Sequence, residues 1–110
     1  MSKPPRYISI GPYRYRIKLV RELGEPEELD GVTDTAGSKL LIKKDLSPSR
    51  MRETVLHEIL HAVWDVCNLS KAYEEKTIMS LSPILLDVLQ RNEELVEWLT
   101  EGEQDDDQSF

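Results

Sequence analysis

The sequence contains a single cysteine, Cys67, among its 110 residues. It therefore cannot form an internal disulfide, which favours a reducing compartment. No stretch approaches the ~20 consecutive apolar residues of a membrane helix, and the first residues lack the apolar segment of a secretory signal. These absences predict a cytoplasmic protein that does not bind membranes, and the length predicts one domain.

Basic residues are also few, since 14 lysines and arginines stand against 21 aspartates and glutamates, for a net charge of -7. Nucleic-acid binding needs a concentrated basic surface, so we expect no nucleic-acid partner. Part of the negative charge is local, because residues 101–110 hold five acidic residues and no basic one. We predict that residues 1–100 form the domain and that 101–110 form an acidic disordered tail.

Alternating polar and apolar residues predict strands in the first half of the chain. The clearest run is 13–20 (YRYRIKLV), whose tyrosines, isoleucine and leucine share one side. Residues 7–10 and the Gly11-Pro12 turn place a second strand beside it in a hairpin. Two shorter strands are predicted at 31–33 and 39–43.

Helical periodicity replaces this alternation in the second half. Ser47 suits an N-cap and Pro48 a first helical position, and apolar residues recur at spacings of three and four up to about Cys67. A second helix follows, which Pro83 is expected to kink or restart, and Asn92 precedes a short third helix. Strands followed by helices predict an α+β fold.

Both histidines of the chain lie in one pattern, His57-Glu58-Ile59-Leu60-His61, within the first predicted helix. Residues four apart occupy the same helix face one turn along, so two imidazoles can reach one ion. Glu58, one step further round the helix, can hydrogen-bond a water molecule without being a ligand itself. This H-E-x-x-H motif predicts a zinc site, with His57 and His61 as ligands and Glu58 as catalytic base.

A catalytic zinc ion usually has three protein ligands and one open position. Cys67 is a poor third ligand, because on a continuous helix it points away from both histidines. Asp65 shares their face but lies ~12 Å along the axis from His57. An acidic residue on the second helix, folded back beside the motif, fits better. Glu75 is preferred because the inward face then keeps its apolar continuity, and Glu74 is the alternative.

The histidine motif with a downstream helical glutamate resembles the gluzincin branch of the zincin metallopeptidases. The layout of residues 7–100 is also similar to small phage and prophage-encoded metallopeptidases, and distantly to the ImmA/IrrE group. Apart from the motif, the similarity rests on six short segments: 8–13 (ISIGPY), 31–34 (GVTD), 40–42 (LLI), 52–56 (RETVL), and 74–75 (EE) followed by 81–83 (LSP). Met79 departs from the ImmA/IrrE group, which often has asparagine at this position.

This resemblance implies a minimal zincin-like fold, in which a small twisted sheet packs on the motif helix and a second helix supplies the glutamate. It implies a zinc-dependent peptide-bond hydrolase acting on a protein or peptide, in the host cytoplasm if the chain is phage-encoded. In zincins an edge strand beside the cleft pairs with an extended substrate, and 31–33 or 39–43 would be that edge. The alternative function is a non-catalytic zinc-binding module that regulates a phage or host partner.

Three aromatic side chains outside the motif are candidates for further roles. Tyr73, close in sequence to Glu75, is a candidate for supporting the oxyanion, although packing is the more frequent role of such a tyrosine. Trp64 lies on the same helix side as His57 and is expected in the core or at the wall of the cleft. Trp98 is expected to close the core with the last helix.

Overall fold

The computed structural model describes residues 2–24 and 29–102, and over these ranges the fold is α+β. Four strands come first: β1 (Tyr7–Ile10), β2 (Tyr13–Val20), β3 (Gly31–Asp34) and β4 (Lys39–Lys43). The helices follow: α1 (Pro48–Val66), a 3-10 turn (Lys71–Tyr73), α2 (Glu74–Arg91) and α3 (Glu93–Leu99). The predicted fold class is confirmed, while the predicted tail lies, from residue 103 onward, outside the described residues.

The four strands form one mixed sheet in the order β1-β2-β4-β3. β1 and β2 pair antiparallel, as the predicted hairpin requires, and β3 and β4 do the same, while β2 and β4 run parallel. Because β4 lies inside the sheet, 39–43 is wrong as a candidate edge. β3 is an edge of the sheet among the described strands, so the other candidate, 31–33, does lie at an edge.

The core lies between one face of the sheet and α1. Leu40 and Ile42 of β4 are fully buried, and Tyr15 and Ile17 of β2 are 2% and 5% exposed. Ala62 of α1 is fully buried against them, where its single methyl group allows the helix to approach the strands closely. The alternation of β2 therefore predicts its buried face correctly at the centre of the strand.

Close packing of β3 on α1 depends on a glycine. A Cβ atom added at Gly31 would lie 2.8 Å from Thr54 Cγ2 and 2.9 Å from Glu58 Cγ. Both distances are shorter than carbon atoms tolerate without a bond, so any larger side chain would push β3 away from α1. Gly31 thereby sets the distance between the sheet edge and the helix that carries the motif.

α1 begins where its capping residues predict. The Ser47 hydroxyl accepts a hydrogen bond from the Arg50 backbone N–H at 3.3 Å, and Pro48 occupies the first turn. The helix ends at Val66, and Asn68 adopts a left-handed conformation with φ 55°, which is typical just past a helix C-terminus. The chain then reverses, and α2 packs against α1.

The connection between α1 and α2 is short and hydrogen-bonded. The Trp64 indole N–H donates to the Ser70 carbonyl oxygen at 2.8 Å. The Ser70 hydroxyl accepts in turn from the Ala72 backbone N–H at 3.3 Å, which caps the 3-10 turn. These two bonds hold the first turn of α2 beside the end of α1.

α2 is one continuous helix through Pro83, so the chain does not restart at this residue. Proline removes one backbone hydrogen bond, and the packing of α2 on α1 maintains the helix despite this loss. Ile78 and Ser82 are the buried residues of the packed face. Glu75 lies one turn before Ile78 on the same side, as the sequence predicts.

α3 begins directly after Asn92 and contacts α2 alone among the described elements. Its Trp98 side chain is 63% exposed, so the expectation that Trp98 closes the core is wrong. The amphipathic pattern of α3 is present, but its apolar face has no core to join. None of the described helices is both long and apolar enough to cross a membrane.

Candidate metal centre

The motif histidines lie on the face of α1 that contacts the start of α2. Both side chains are largely buried, with exposed fractions of 22% for His57 and 19% for His61. The rings meet edge to face with centroids 4.9 Å apart, and their Nε2 atoms are 3.2 Å apart. The four-residue spacing therefore brings both nitrogens to one point in space.

Glu75, in the first turn of α2, supplies an oxygen at the same point. Its Oε1 atom lies 3.1 Å from His57 Nε2 and 2.8 Å from His61 Nε2. Ligands around a tetrahedral zinc ion are about 3.3–3.5 Å from one another, so the three atoms need only a small expansion to surround one. His57, His61 and Glu75 thus form a group that could hold a metal ion.

Glu74 also reaches His61, but on the other ring nitrogen. Its Oε2 atom lies 2.5 Å from His61 Nδ1, and its side chain is only 14% exposed, compared with 62% for Glu75. Its other oxygen lies 3.8 Å from Lys71 Nζ. An Nδ1–H that donates to Glu74 leaves the His61 Nε2 lone pair directed at the cluster; carboxylates that are not themselves ligands commonly orient metal-bound histidines in this way.

The cluster concentrates hydrogen-bond acceptors that need a positive charge between them. When His61 Nδ1 donates to Glu74, neutral Nε2 is an acceptor, and it faces the Glu75 carboxylate at 2.8 Å. Burial by itself lowers the pKa of His61, but the hydrogen bond to Glu74, the charge of Glu58, and the hydrogen bond and charge of Glu75 together outweigh it, so the pKa is raised above 6.5. A proton or a metal ion at Nε2 would each relieve this repulsion, so the donor set fits a bound cation.

Glu58 is buried between α1 and β3, with 6% of the residue exposed. Its Oε1 atom lies 2.7 Å from the Thr33 hydroxyl, which is also 3.0 Å from the Glu58 backbone oxygen. The hydroxyl has one proton and donates it to either oxygen. Glu58 is not part of the three-residue cluster, and its second carboxylate oxygen stays available to a substrate or a water molecule.

Two cavities meet at Glu58 and His61. The larger, of about 940 Å³, runs along the edge strand and the N-terminal half of α1, and is lined by both histidines, Glu58 and Glu75. The smaller, of about 230 Å³, is polar, and Thr33, Lys71 and Glu74 line it together with Glu58 and His61. Glu58 and His61 therefore border both cavities, so a ligand in either one could reach them.

The other residues considered as metal ligands, as oxyanion support or as part of the cleft wall do not belong to the cluster. Cys67 is exposed at the end of α1, and Asp65 Oδ1 lies 3.9 Å from Lys71 Nζ, so neither joins the cluster. Tyr73 is 72% exposed and lines a different groove on α2, and it is not among the described residues that line either cavity of the candidate site. Trp64 is bonded to the α1–α2 connection and does not line either cavity.

Sequence reasoning identifies the cluster but not its supporting contacts. The choice of Glu75 over Glu74 agrees with the geometry, yet Glu74 has a distinct place behind His61. The Thr33–Glu58 hydrogen bond joins residues 25 positions apart and has no local signal. A partial signal was present at Gly31, because a glycine inside a strand indicates a close approach of another element.

Comparison of this chain with known protein families, with curated proteins and with solved structures gives no match in any of the three.

Proposed function

We propose that this protein is a zinc-dependent hydrolase of peptide bonds, with His57, His61 and Glu75 as metal ligands and Glu58 as general base. The observation that carries the proposal is the convergence of two imidazole nitrogens and one carboxylate oxygen within 3.2 Å of one another. Zinc is the metal preferred by this combination of ligands in an open site with three protein ligands. The zincin resemblance of the motif agrees with this choice.

When bound, a zinc ion would supply a Lewis acid that activates a water molecule and polarises the substrate carbonyl. Side chains of the protein would accept the proton from this water and transfer it to the leaving group. Glu58 would take a proton from the attacking water and deliver it to the leaving amine. Thr33 would hold one Glu58 oxygen, so that the other is oriented for this transfer. Glu74 would hold His61 in the tautomer that binds the metal.

The proposed substrate is a protein or peptide in extended conformation. The larger cavity runs beside β3, whose outer edge is not paired with any described strand. An extended chain could pair with this edge through backbone hydrogen bonds, which require an extended backbone but no particular side chains. Its scissile bond would then pass the cluster, because Thr33 of the same strand touches Glu58.

A non-catalytic zinc module is the second candidate. Structural zinc sites usually have four protein ligands, and only three converge here among the described residues. A structural site also needs no buried carboxylate beside the ligands, whereas Glu58 is buried and hydrogen-bonded there. These two observations favour hydrolysis.

The decisive experiment measures zinc content and cleavage of a peptide library by mass spectrometry on the same samples. The Glu58→Gln variant should retain zinc and lose about 10²–10⁴-fold in cleavage rate, because general base catalysis contributes that much. Thr33→Val should retain zinc and cleave more slowly, while Thr33→Ser, which keeps the hydroxyl, should restore the rate. Glu22→Gln is the control for the loss of one carboxylate and should cleave as wild type does, since Glu22 is exposed and lines neither cavity of the candidate site.

Each result separates the two candidate functions. Wild-type protein that binds one zinc ion but cleaves no library member would favour the non-catalytic module. Wild-type protein that binds no zinc, or a Glu58→Gln variant with undiminished cleavage, would refute the proposed mechanism.

A further inference from the structure

A third cavity, of about 420 Å³, lies on a different face of α1 from the metal centre, and no described residue lines both. The N-terminal segment, β2, α1 and α2 all contribute to its walls. Most of its lining is apolar, and includes Leu19, Met51, Val55, Leu56, Ile59 and Leu86. We call this cavity the α1 groove.

The charged residues at the α1 groove all have the same sign. Lys3, Lys44 and Arg52 line it, and no acidic side chain is among its described lining residues. This is unusual for a chain in which acidic residues outnumber basic ones by 21 to 14. An occupant with an apolar face and negative charges beside it would match the groove in both respects.

α3 has this combination of properties. Leu95, Trp98 and Leu99 have the three- and four-residue spacing of one helix face, and they are 40%, 63% and 59% exposed. The helix and the residue pair that follows it carry four acidic residues and no basic one: Glu93, Glu94, Glu97 and Glu101. The apolar face is uncovered, since α3 contacts only α2 among the described elements.

We propose that the α1 groove is the docking site for α3 of a second copy of this chain, and that the protein is a two-fold dimer formed by reciprocal exchange of α3. Leu86 lines the groove and α3 begins seven residues later, so helix and groove lie at the same end of the molecule, ~10 Å apart along α2. Each copy contributes one helix and one groove, so the exchange closes without leaving a free site.

Within one chain, α3 is held away from the groove. The Asn92 side-chain amide donates to the Val88 carbonyl oxygen at 2.9 Å, and the Val96 N–H donates to the Asn92 carbonyl oxygen at 3.1 Å. With one residue between α2 and α3, these bonds fix the direction of α3 relative to its own α2. A second copy can supply the same acidic, apolar helix without breaking them.

Sedimentation equilibrium of the full chain, over about 1–100 μM, tests the dimer. Two charge-reversed variants identify its surfaces: Lys44→Glu with Arg52→Glu in the groove, and Glu94→Lys with Glu97→Lys on α3. Each variant alone should dimerise about tenfold more weakly than wild type. An equimolar mixture of the two should regain dimerisation, because each then meets a surface of opposite charge in both exchanged contacts.

Controls separate the interface from general charge effects. Arg16→Glu with Lys18→Glu makes the same charge change on the exposed face of β2 and should leave dimerisation unaltered. Removal of zinc by a chelator should also leave it unaltered, so the result is independent of the proposed catalytic function. Trp98 emission, taken as wild type minus Trp98→Phe, should shift to the blue as the protein dimerises.

Three outcomes would overturn the proposal. One is a wild-type protein that remains monomeric at about 100 μM. Another is a mixture of the two charge-reversed variants that stays monomeric. The third is a monomer whose Trp98 emission is blue-shifted at every concentration, because α3 would then occupy the groove of its own chain.

Discussion

The two ends of the α1–α2 helix pair differ in the side chains that they bury and expose. The end with His57, His61 and Glu75 is called the metal end, and the end that carries α3 is called the α3 end. At the candidate metal centre, two carboxylates are largely buried: Glu58 is 6% exposed and the Glu74 side chain 14%. At the α3 end, large apolar groups are exposed, with Trp98 at 63% and Leu99 at 59%. Both arrangements cost free energy in an isolated chain.

The difference agrees with the contact that we propose for each end. Buried acidic groups are stabilised by hydrogen bonds and by a cation, so the first end suits an ion and the transfer of protons. Exposed apolar groups are stabilised by removal from water, so the second end suits a protein surface. Substitutions should therefore affect metal binding and folding at the first end, and association at the second.

The largest expected effect compares the two adjacent glutamates of the metal end. Glu75→Ala removes a proposed ligand and should lower zinc affinity by more than about 100-fold, while Glu74→Gln should lower it by about 10–100-fold, because it only weakens the support of His61. Competition with a chromophoric chelator measures both, with Glu94→Gln on α3 as the matched control. A greater loss for Glu74→Gln than for Glu75→Ala would show that the two roles are exchanged.

The next comparison concerns packing at the two ends. Gly31→Ala places a methyl group within 3 Å of α1 side chains and should lower the free energy of unfolding by about 1–3 kcal/mol. Trp98→Ser should change it by no more than about 0.5 kcal/mol at dilute concentrations, since the side chain is mostly exposed. Urea unfolding of both variants tests this, and equal losses would mean that α3 is part of the folded core.

The smallest effect is the response of the metal end to pH. The folded-state pKa of His61 is raised above 6.5, so protonated His61 stabilises the metal-free fold below pH 6.5, and this contribution is lost as pH rises through the raised pKa. Zinc competes with the same proton, so its stabilisation should grow over that pH range. Thermal unfolding with chelator and with zinc should therefore show opposite trends as the pH rises above 6.5. Parallel trends would argue against His61 as a ligand.

The sequence predicts the elements well because each carries its own local signal. The alternation of β2, the Ser47-Pro48 start of α1 and the spacing of the two histidines depend only on residues close in the chain. The preference for Glu75 also follows from local periodicity, since one turn later Ile78 is buried on the same side.

Long-range pairing could not be predicted in the same way. The sequence of residues 39–43 does not indicate that this strand pairs with β2 in parallel orientation, because period-two alternation does not identify a partner strand. The Thr33–Glu58 bond and the fit of Gly31 against Thr54 are likewise products of β3 lying on α1. The exposure of Trp98 could not be predicted either, because an amphipathic pattern does not identify the apolar surface that the helix will contact.

The length of the hydrogen-bonded connection between α1 and α2 determines which residue of α2 faces the histidines. Successive residues of a helix are about 100° apart around its axis, so one residue added or removed within 68–73 would turn a different side chain toward the histidines. The neighbours of Glu75 in the sequence are Glu74, which is hydrogen-bonded to His61 Nδ1, and Lys76. Surface loops commonly vary in length among related proteins. Here, however, a change of a single residue would replace the Glu75 carboxylate by the Lys76 ammonium group, or would remove the Glu74 carboxylate from His61 Nδ1.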